Sequence, residues 1–308
     1  MKNKKLVLSA VLVLILVFGC LAAVKAYGFV MDKYHFLRDT LALIDARTNK
    51  VQQYDLDYSW VKDNVLVAHA FGGKGSKTYT NSLEAFEYNY GLGHRIFEVD
   101  FDLSEDLVTI CSHDEDYWRY MSHHEDDGME YSYENFKNSP LFDDYTPLDH
   151  KDIIDLLCKY PDIYIITDTK HSDKIKVYQQ FSQIVDAAKK ADPSVLDRII
   201  PQIYTKEMLD YVMDVHPFKS VIFTLYQIQW EAEDIASFCV ESGVRYLTIS
   251  QDMLDEESAK LFESMRILTA VHTLDDEKEA RAFLDQGVDM IYTNFLLPEQ
   301  FETEENND

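Results

Sequence analysis

Residues 244–272, VRYLTISQDMLDEESAKLFESMRILTAVH, contain the pattern that decides the fold. Two apolar runs flank a stretch whose apolar residues recur every three or four positions, which predicts strand, helix, strand. The unit recurs along the chain, and several helical stretches end at glycine, as helices commonly do. The predicted strands are 65–71, 95–101, 163–169, 198–204, 220–226, 244–250, 266–272 and 288–294. Eight strand–helix units in about 250 residues predict an α/β fold, a (β/α)8 TIM barrel, rather than a doubly wound sheet of about six strands.

The charge of the chain excludes two classes of partner. Its 308 residues carry a formal net charge of −26, and 46% of them are hydrophobic, enough for a sizeable core. Nucleic acid and anionic lipid headgroups are repelled by so acidic a surface, so we expect neither as a broad-face partner. The four cysteines are far apart in the sequence and indicate neither a disulfide framework nor a metal knuckle.

An apolar segment near the N-terminus predicts export of the remaining chain. After the basic MKNKK, residues Leu6–Val24 form a run of 19 mostly apolar residues, long enough to span a bilayer. The lysines favour a cytoplasmic N-terminus, so we expect a single-pass anchor in the cell membrane with the barrel outside the cytoplasm. Cleavage after Ala26, giving a secreted protein, and lipid attachment at Cys20 are the alternatives. The predicted segments are an anchor or signal (1–30), a juxtamembrane spacer (31–63), the barrel (64–301) and an acidic tail (302–308).

Polar residues at the predicted strand ends are the candidate site, because TIM-barrel active sites lie at the C-terminal ends of the strands. In FEVDFD, residues 97–102, acidic and apolar residues alternate, so Glu98 and Asp100 share one face. Carboxylates that share a face repel each other unless a cation lies among them. Other strands end in His69, in Asp168 with Lys170, and in Gln202.

A second histidine is predicted to reach the same rim. The run LVTICSHD, residues 107–114, follows the second strand closely enough to continue it or to pair with it in a hairpin, which would bring His113 and Asp114 to the site. Two histidines, several carboxylates and a lysine suit phosphoryl chemistry. A divalent cation would neutralise the phosphate, and the imidazoles would supply an acid and a base.

These residues resemble the glycerophosphodiester phosphodiesterase family, within the superfamily of phosphatidylinositol-specific phospholipases C. The resemblance rests on His69, TNSLEAF (80–86), the Glu98-x-Asp100 pair, His113-Asp114, TDTK (167–170) and GVDMIYTNFLLP (287–298). It covers residues 65–300, and the motifs occur along the chain in the same order as in the family.

The resemblance implies a role for each candidate. His69 and His113 would be the acid–base pair; Glu98, Asp100 and Asp168 would bind a divalent metal ion, Ca²⁺ or Mg²⁺; and Lys170 would contact phosphate. Three residues depart from the family pattern: Ala70 replaces an arginine, Asp168 a glutamate, and Thr80 an acid. With that arginine missing, Lys74 or Lys77 is expected to help bind phosphate, and Gln202 is a further substrate-binding candidate.

The expected function is metal-dependent hydrolysis of a glycerophosphodiester-type substrate to an alcohol and a phosphomonoester. A lyase that forms a cyclic phosphate and a non-catalytic, membrane-anchored barrel that binds phosphodiesters are the alternatives. The substrate would be a small or lipid-derived phosphodiester, and no protein partner is indicated. Residues 115–144 interrupt the alternation of strands and helices, which predicts either a lid or pocket wall on the catalytic rim or an ordinary packed excursion.

Overall fold

Parallel strands close into a barrel in the computed structural model, which describes residues 51–61, 64–169, 171–226 and 230–302. Eight parallel strands lie within these residues, together with one antiparallel strand, β3. The strands are β1 (Leu66–Ala68), β2 (Ile96–Leu103), β3 (Thr109–Cys111), β4 (Tyr164–Thr169), β5 (Ile199–Ile203), β6 (Ile222–Thr224), β7 (Tyr246–Ser250), β8 (Leu268–His272) and β9 (Met290–Thr293).

The order of the strands around the barrel is β1-β2-β4-β5-β6-β7-β8-β9, and β9 pairs with β1. Closure rests on the pairing of Ala68 with Phe97 and on three register pairs between β1 and β9. Strand β3 is the antiparallel hairpin partner of β2, with Phe101 opposite Cys111. The predicted TIM barrel is therefore confirmed, and the hairpin brings His113 to the rim.

Helices cover the outside of the barrel and begin at capping residues. They are α1 (Leu83–Gly91), α2 (Glu115–Met121), α3 (Tyr133–Asn138), α4 (His150–Lys159), α5 (Lys174–Ala191), α6 (Lys206–Val215), α7 (Ala232–Ser242), α8 (Glu256–Ser264) and α9 (Glu277–Asp285). Of these described helices, all but α7 follow a Ser, Thr or Asp whose side chain accepts a backbone N–H of the first turn. Each such cap stabilises its helix by about 1 kcal/mol.

The lower interior of the barrel is an apolar layer. Each parallel strand contributes one buried side chain to it: Val67, Ile96, Ile166, Ile200, Ile222, Tyr246, Ala270 and Met290. Side chains on a strand alternate between faces, so the residue two positions further along each strand also points into the barrel. This step of two residues places the site directly above the apolar layer.

The lower opening of the barrel is closed by residues 54–61, near the end of the predicted spacer. Trp60 stacks on Tyr164 with ring centroids 5.9 Å apart, and its Nε1–H donates to Ser220 Oγ over 3.0 Å. The N–H of Tyr54 donates to the carbonyl of Ser242 over 2.7 Å. A Cβ at Gly243, where φ is +88°, would lie 2.1 Å from the Tyr54 carbonyl oxygen. This part of the spacer therefore packs against the barrel.

The 115–144 insertion packs around a small core of its own. Trp118, Met121, Tyr131, Phe136 and Leu141 are buried there beneath α2 and α3. The insertion is therefore packed on a core of its own, as expected of a packed excursion.

No helix within the described ranges is long and apolar enough to cross a membrane. The predicted anchor, Lys170 and all but the first residue of the acidic tail lie outside those ranges.

Candidate active site

A ring of polar side chains lies directly above the apolar layer. It consists of the residues two positions further along the eight parallel strands: His69, Glu98, Asp168, Gln202, Thr224, Thr248, His272 and Tyr292. All eight line one cavity of about 160 Å³ at the C-terminal ends of the strands, where Tyr79, His113, Tyr204, Tyr226 and Thr273 complete the wall. The described lining of this cavity contains no lysine or arginine.

Three carboxylates meet at one side of the ring. Glu98, Asp100 and Asp168 each offer an oxygen within 4.8 Å of the other two, and their exposed fractions are 1%, 0% and 9%. Buried like charges this close are costly without a cation between them. The donor set consists of oxygen atoms alone, which fits Ca²⁺ or Mg²⁺.

A hydrogen bond from the protein orients each carboxylate. The backbone N–H of Ala70 donates to Glu98 Oε2 over 2.7 Å, at the position where the family pattern has an arginine. Asn81 Nδ2 donates to Asp100 Oδ2 over 2.9 Å, and the phenol of Tyr204 donates to Asp168 Oδ1. Such bonds fix the planes of the carboxylates before a cation binds.

Asn294 fixes the tautomer of His69. Asn294 Nδ2 donates to Asp275 Oδ2 over 2.9 Å, so the amide oxygen of Asn294 faces His69 Nδ1 at 3.0 Å. That oxygen can only accept, so the proton of the ring lies on Nδ1. The other ring nitrogen, Nε2, lies 3.9 Å from Glu98 Oε2, and in the neutral imidazole it can accept a proton.

His113 is likewise oriented through its Nδ1, which faces a carboxylate oxygen instead of an amide oxygen. Its Nδ1 lies 2.7 Å from Asp114 Oδ2, and the other oxygen of Asp114 accepts the backbone N–H of Tyr117 at the start of α2. The ring of Tyr79 contacts both histidines, with centroids 4.7 Å from His69 and 5.7 Å from His113. The two predicted acid–base residues therefore flank one tyrosine at the mouth of the cavity.

Of the other predicted site residues, Gln202 lines the cavity, whereas Lys74 and Lys77 do not. Gln202 lies in the ring, where the Tyr292 phenol donates to its Oε1 over 3.4 Å. Lys74 lies outside the cavity lining, with Nζ 5.7 Å from the centroid of the Tyr145 ring, and Lys77 Nζ lies 3.7 Å from that of Phe142. Both side chains contact the aromatic residues that follow α3 instead of pointing into the cavity.

Several cavity residues were not predicted from the sequence. Tyr79, Tyr204, Thr224, Thr248 and Tyr292 line the cavity as well. Three of them, Thr224, Thr248 and Tyr292, follow the apolar interior residue of their strand by two positions, so the strand alternation would have identified them. Burial, with Tyr246 and Glu98 nearby, raises the pKa of Tyr292 well above its usual value, so its phenol stays protonated.

Residues 72–297 match the model of the glycerophosphoryl diester phosphodiesterase family. The chain belongs to this family. As a glycerophosphoryl diester phosphodiesterase it is a phosphoric diester hydrolase. The match begins three residues after His69, which lines the same cavity as the matched residues Glu98 and His113.

Solved structures of glycerophosphodiester phosphodiesterases share the fold. One from Parabacteroides distasonis has a TM-score of 0.62 and 19% identity, over 77% of this chain and 95% of that one. A phosphodiesterase from Oleispira antarctica, in complex with the product sn-glycerol-3-phosphate, has a TM-score of 0.62 and 17% identity, over 75% and 93%. The Thermotoga maritima enzyme gives 0.57 and 19%, over 75% and 94%. These identities establish the barrel fold alone. No curated protein matches the sequence.

Proposed function

We propose that the protein hydrolyses a glycerophosphodiester-type substrate to an alcohol and a phosphomonoester, using a divalent cation and two histidines. The observation that carries the proposal is a group of three buried carboxylates, two of which line the same cavity as two oriented imidazoles. Family membership supplies the reaction class, and the geometry suggests which residues perform it.

Glu98, Asp100 and Asp168 would hold the cation, which neutralises charge on the phosphoryl oxygens when bound. In the reaction, one imidazole Nε2 removes the proton from the attacking oxygen as that oxygen bonds to phosphorus. The P–O bond to the leaving alcohol breaks, and the second imidazole Nε2 gives that alcohol its proton. The orientation of His69 and His113 supports their assignment to these two proton transfers, because the partner of each Nδ1 leaves the Nε2 to exchange the proton.

The missing arginine makes this site depend on the cation. Since the described lining holds neither lysine nor arginine, the phosphate charge would be met there by the cation and the imidazoles. Lys170, which follows Asp168 in the sequence, is our proposed additional phosphate contact.

The test is an assay of the purified full-length protein against glycerophosphodiesters with Ca²⁺, Mg²⁺ or EDTA, with the products analysed. We expect cation-dependent release of an alcohol and a phosphomonoester, and its loss in His69→Ala and in His113→Ala. His123→Ala, whose side chain is 62% exposed, is the matched control. A cyclic phosphate product would show a lyase instead, and binding without turnover would show a non-catalytic barrel.

We also propose that the N-terminal segment anchors the protein in the cell membrane with the barrel outside the cytoplasm. The basic start and the apolar run Leu6–Val24 support this. Protease added to intact cells should digest the barrel. In untreated cells the protein should be found in the membrane fraction. Release into the medium would show a secreted form, and lipid labelling that is lost in Cys20→Ser would show a lipoprotein.

A further inference from the structure

A chain of hydrogen bonds crosses three neighbouring strand ends on the rim and reaches His69. Asp275 lies in the loop between β8 and α9, Asn294 directly follows β9, and His69 directly follows β1. We propose that Asp275, which lies outside the described cavity lining, is a positioning residue whose carboxylate, acting through Asn294, keeps the ring proton of His69 on Nδ1. Its part in turnover rests on the proposed function, in which His69 transfers a proton.

The two oxygens of the Asp275 carboxylate have different partners. Oδ1 accepts the Thr293 hydroxyl over 2.9 Å and the backbone N–H groups of Asn294 and Phe295 over 2.6 and 3.2 Å. Oδ2 accepts the Asn294 side chain, from Nδ2, over 2.9 Å. Because a backbone N–H can only donate, the position of Oδ1 must hold an acceptor whichever residue replaces Asp275.

The carboxylate decides between two orientations of the Asn294 side chain. An asparagine amide has a donating end and an accepting end of similar size, and its neighbours determine which end points where. Since a carboxylate offers no proton, Asp275 draws the NH₂ end of Asn294 and leaves the amide oxygen for His69. The location of the ring proton therefore depends on a residue that does not touch the ring.

An asparagine at position 275 would reverse this chain. Its carbonyl oxygen would keep the two backbone N–H donors, so its NH₂ group would replace Oδ2 and face Asn294. Two NH₂ groups cannot hydrogen-bond to each other, so the Asn294 amide would turn over and present its own NH₂ group to His69. Nδ1 would then accept a hydrogen bond, and the proton of the neutral ring would lie on Nε2.

The reversed tautomer of His69 suits neither of the two proton transfers. As a base, the ring needs a free electron pair on Nε2, which would carry the proton instead. As an acid, the ring must hold a proton on both nitrogens, and the proton on Nδ1 would face an NH₂ group. A wrong tautomer of a catalytic histidine costs up to about 10⁴-fold in kcat.

The experiment exchanges the two side chains of the pair. Wild type, Asp275→Asn and the double variant Asp275→Asn with Asn294→Asp are compared as full-length proteins. In the double variant the amide lies in the loop and the carboxylate beside the ring, so each donor again faces an acceptor. Asp276→Asn is the matched control, because it removes the same charge one residue further along. The Asp276 side chain caps α9 by accepting the N–H of Glu279 over 3.0 Å, which asparagine does equally well.

Two readouts are taken from each protein. Nitrogen-15 NMR of labelled histidine, at a pH at which the ring is neutral, shows which ring nitrogen carries the proton, and the spectrum of His69→Ala identifies the signals of His69. Turnover of a glycerophosphodiester with Ca²⁺ gives kcat and KM.

We expect the proton on Nδ1 in wild type, on Nε2 in Asp275→Asn and on Nδ1 again in the double variant. In Asp275→Asn, kcat should fall by about 10²-fold or more, with KM within about threefold. The double variant should recover kcat to within about tenfold of wild type, and Asp276→Asn should keep the wild-type tautomer and a kcat within about twofold.

The same tautomer in wild type and Asp275→Asn would overturn the inference. With an active wild type, a double variant no more active than Asp275→Asn would also overturn it. The double variant decides the matter even if Asp275→Asn does not fold, because its hydrogen bonds are complete. The expected tautomers without turnover in wild type would support the role of Asp275 and refute the proposed hydrolysis. Turnover with a tautomer that Asp275→Asn leaves unchanged would do the reverse.

Discussion

The polar ring has two unlike sides built on the same apolar layer. On β1, β2 and β4 it carries His69, Glu98 and Asp168, which make hydrogen bonds to Asn294, to the Ala70 backbone and to Tyr204, respectively. On β5 to β9, the carboxylate-free side, it carries Gln202, Thr224, Thr248, His272 and Tyr292, and the Thr248 hydroxyl has no partner among the described residues. The difference shows that hydrogen bonds within the protein orient the charged side before any ligand binds.

The largest effect is expected from breaking the charged side. His69→Ala should lower kcat by about 10²–10⁴-fold, because one of the two proton transfers loses its group. Steady-state assays at saturating cation measure this, with circular dichroism to verify folding. Activity within threefold of wild type would remove His69 from the reaction and leave the two sides without a chemical distinction.

A second change tests whether the charged side is organised for a cation. Tyr204→Phe removes the phenol that orients Asp168 and should weaken Ca²⁺ binding by about 10–100-fold, as measured by calorimetry. Tyr178→Phe is the control, because it removes a tyrosine–aspartate hydrogen bond, to Asp214, on the outer helices. Equal Ca²⁺ affinities in both variants would mean that Asp168 needs no orientation by Tyr204.

A third substitution tests whether Asn294 acts on His69 without affecting the carboxylates. Asn294→Ala frees the His69 ring from its fixed tautomer and should lower kcat about tenfold, the approximate value of one neutral hydrogen bond. Ca²⁺ affinity should not change, in contrast to Tyr204→Phe. A parallel loss of Ca²⁺ binding would show that Asn294 supports the whole site and not His69 alone.

The smallest effect is expected on the carboxylate-free side. Tyr292→Phe removes a 3.4 Å contact with Gln202, near the limit of a hydrogen bond, so the free energy of unfolding should fall by less than about 1 kcal/mol. Urea denaturation measures this value. A loss above about 2 kcal/mol would show that the carboxylate-free side is held as tightly as the charged side.

Elements with strong local patterns could be predicted from the sequence. All eight parallel strands were predicted, because β-branched runs alternate with helical spacing. The β3 hairpin was one of the two arrangements that the short distance between its runs indicated, and the pairing with β2 decides between them. The segment around Trp60 has no apolar period, so its packing beneath the barrel depends on tertiary contacts that a sequence pattern does not encode.

Some residues of the candidate site could likewise be predicted from the sequence, and others could not. Acidic residues and histidines at strand ends are rare enough to be noticed, whereas Thr248 and Tyr204 are ordinary residues for a strand and its end. Lys74 was predicted to bind phosphate because it follows the first strand by a few residues. Its ammonium group instead lies 5.7 Å from the centroid of the Tyr145 ring, and Lys74 does not line the cavity.

The closure of the lower barrel by Trp60 bears on how products leave. With that end filled, the described residues leave the rim as the route out of the cavity, so a product bound deeper should depart later. If the phosphomonoester is bound deeper than the second alcohol, that alcohol is released first. The retained phosphomonoester should then inhibit competitively with substrate, and the released alcohol should inhibit noncompetitively, so steady-state product inhibition reports on the architecture of the barrel floor.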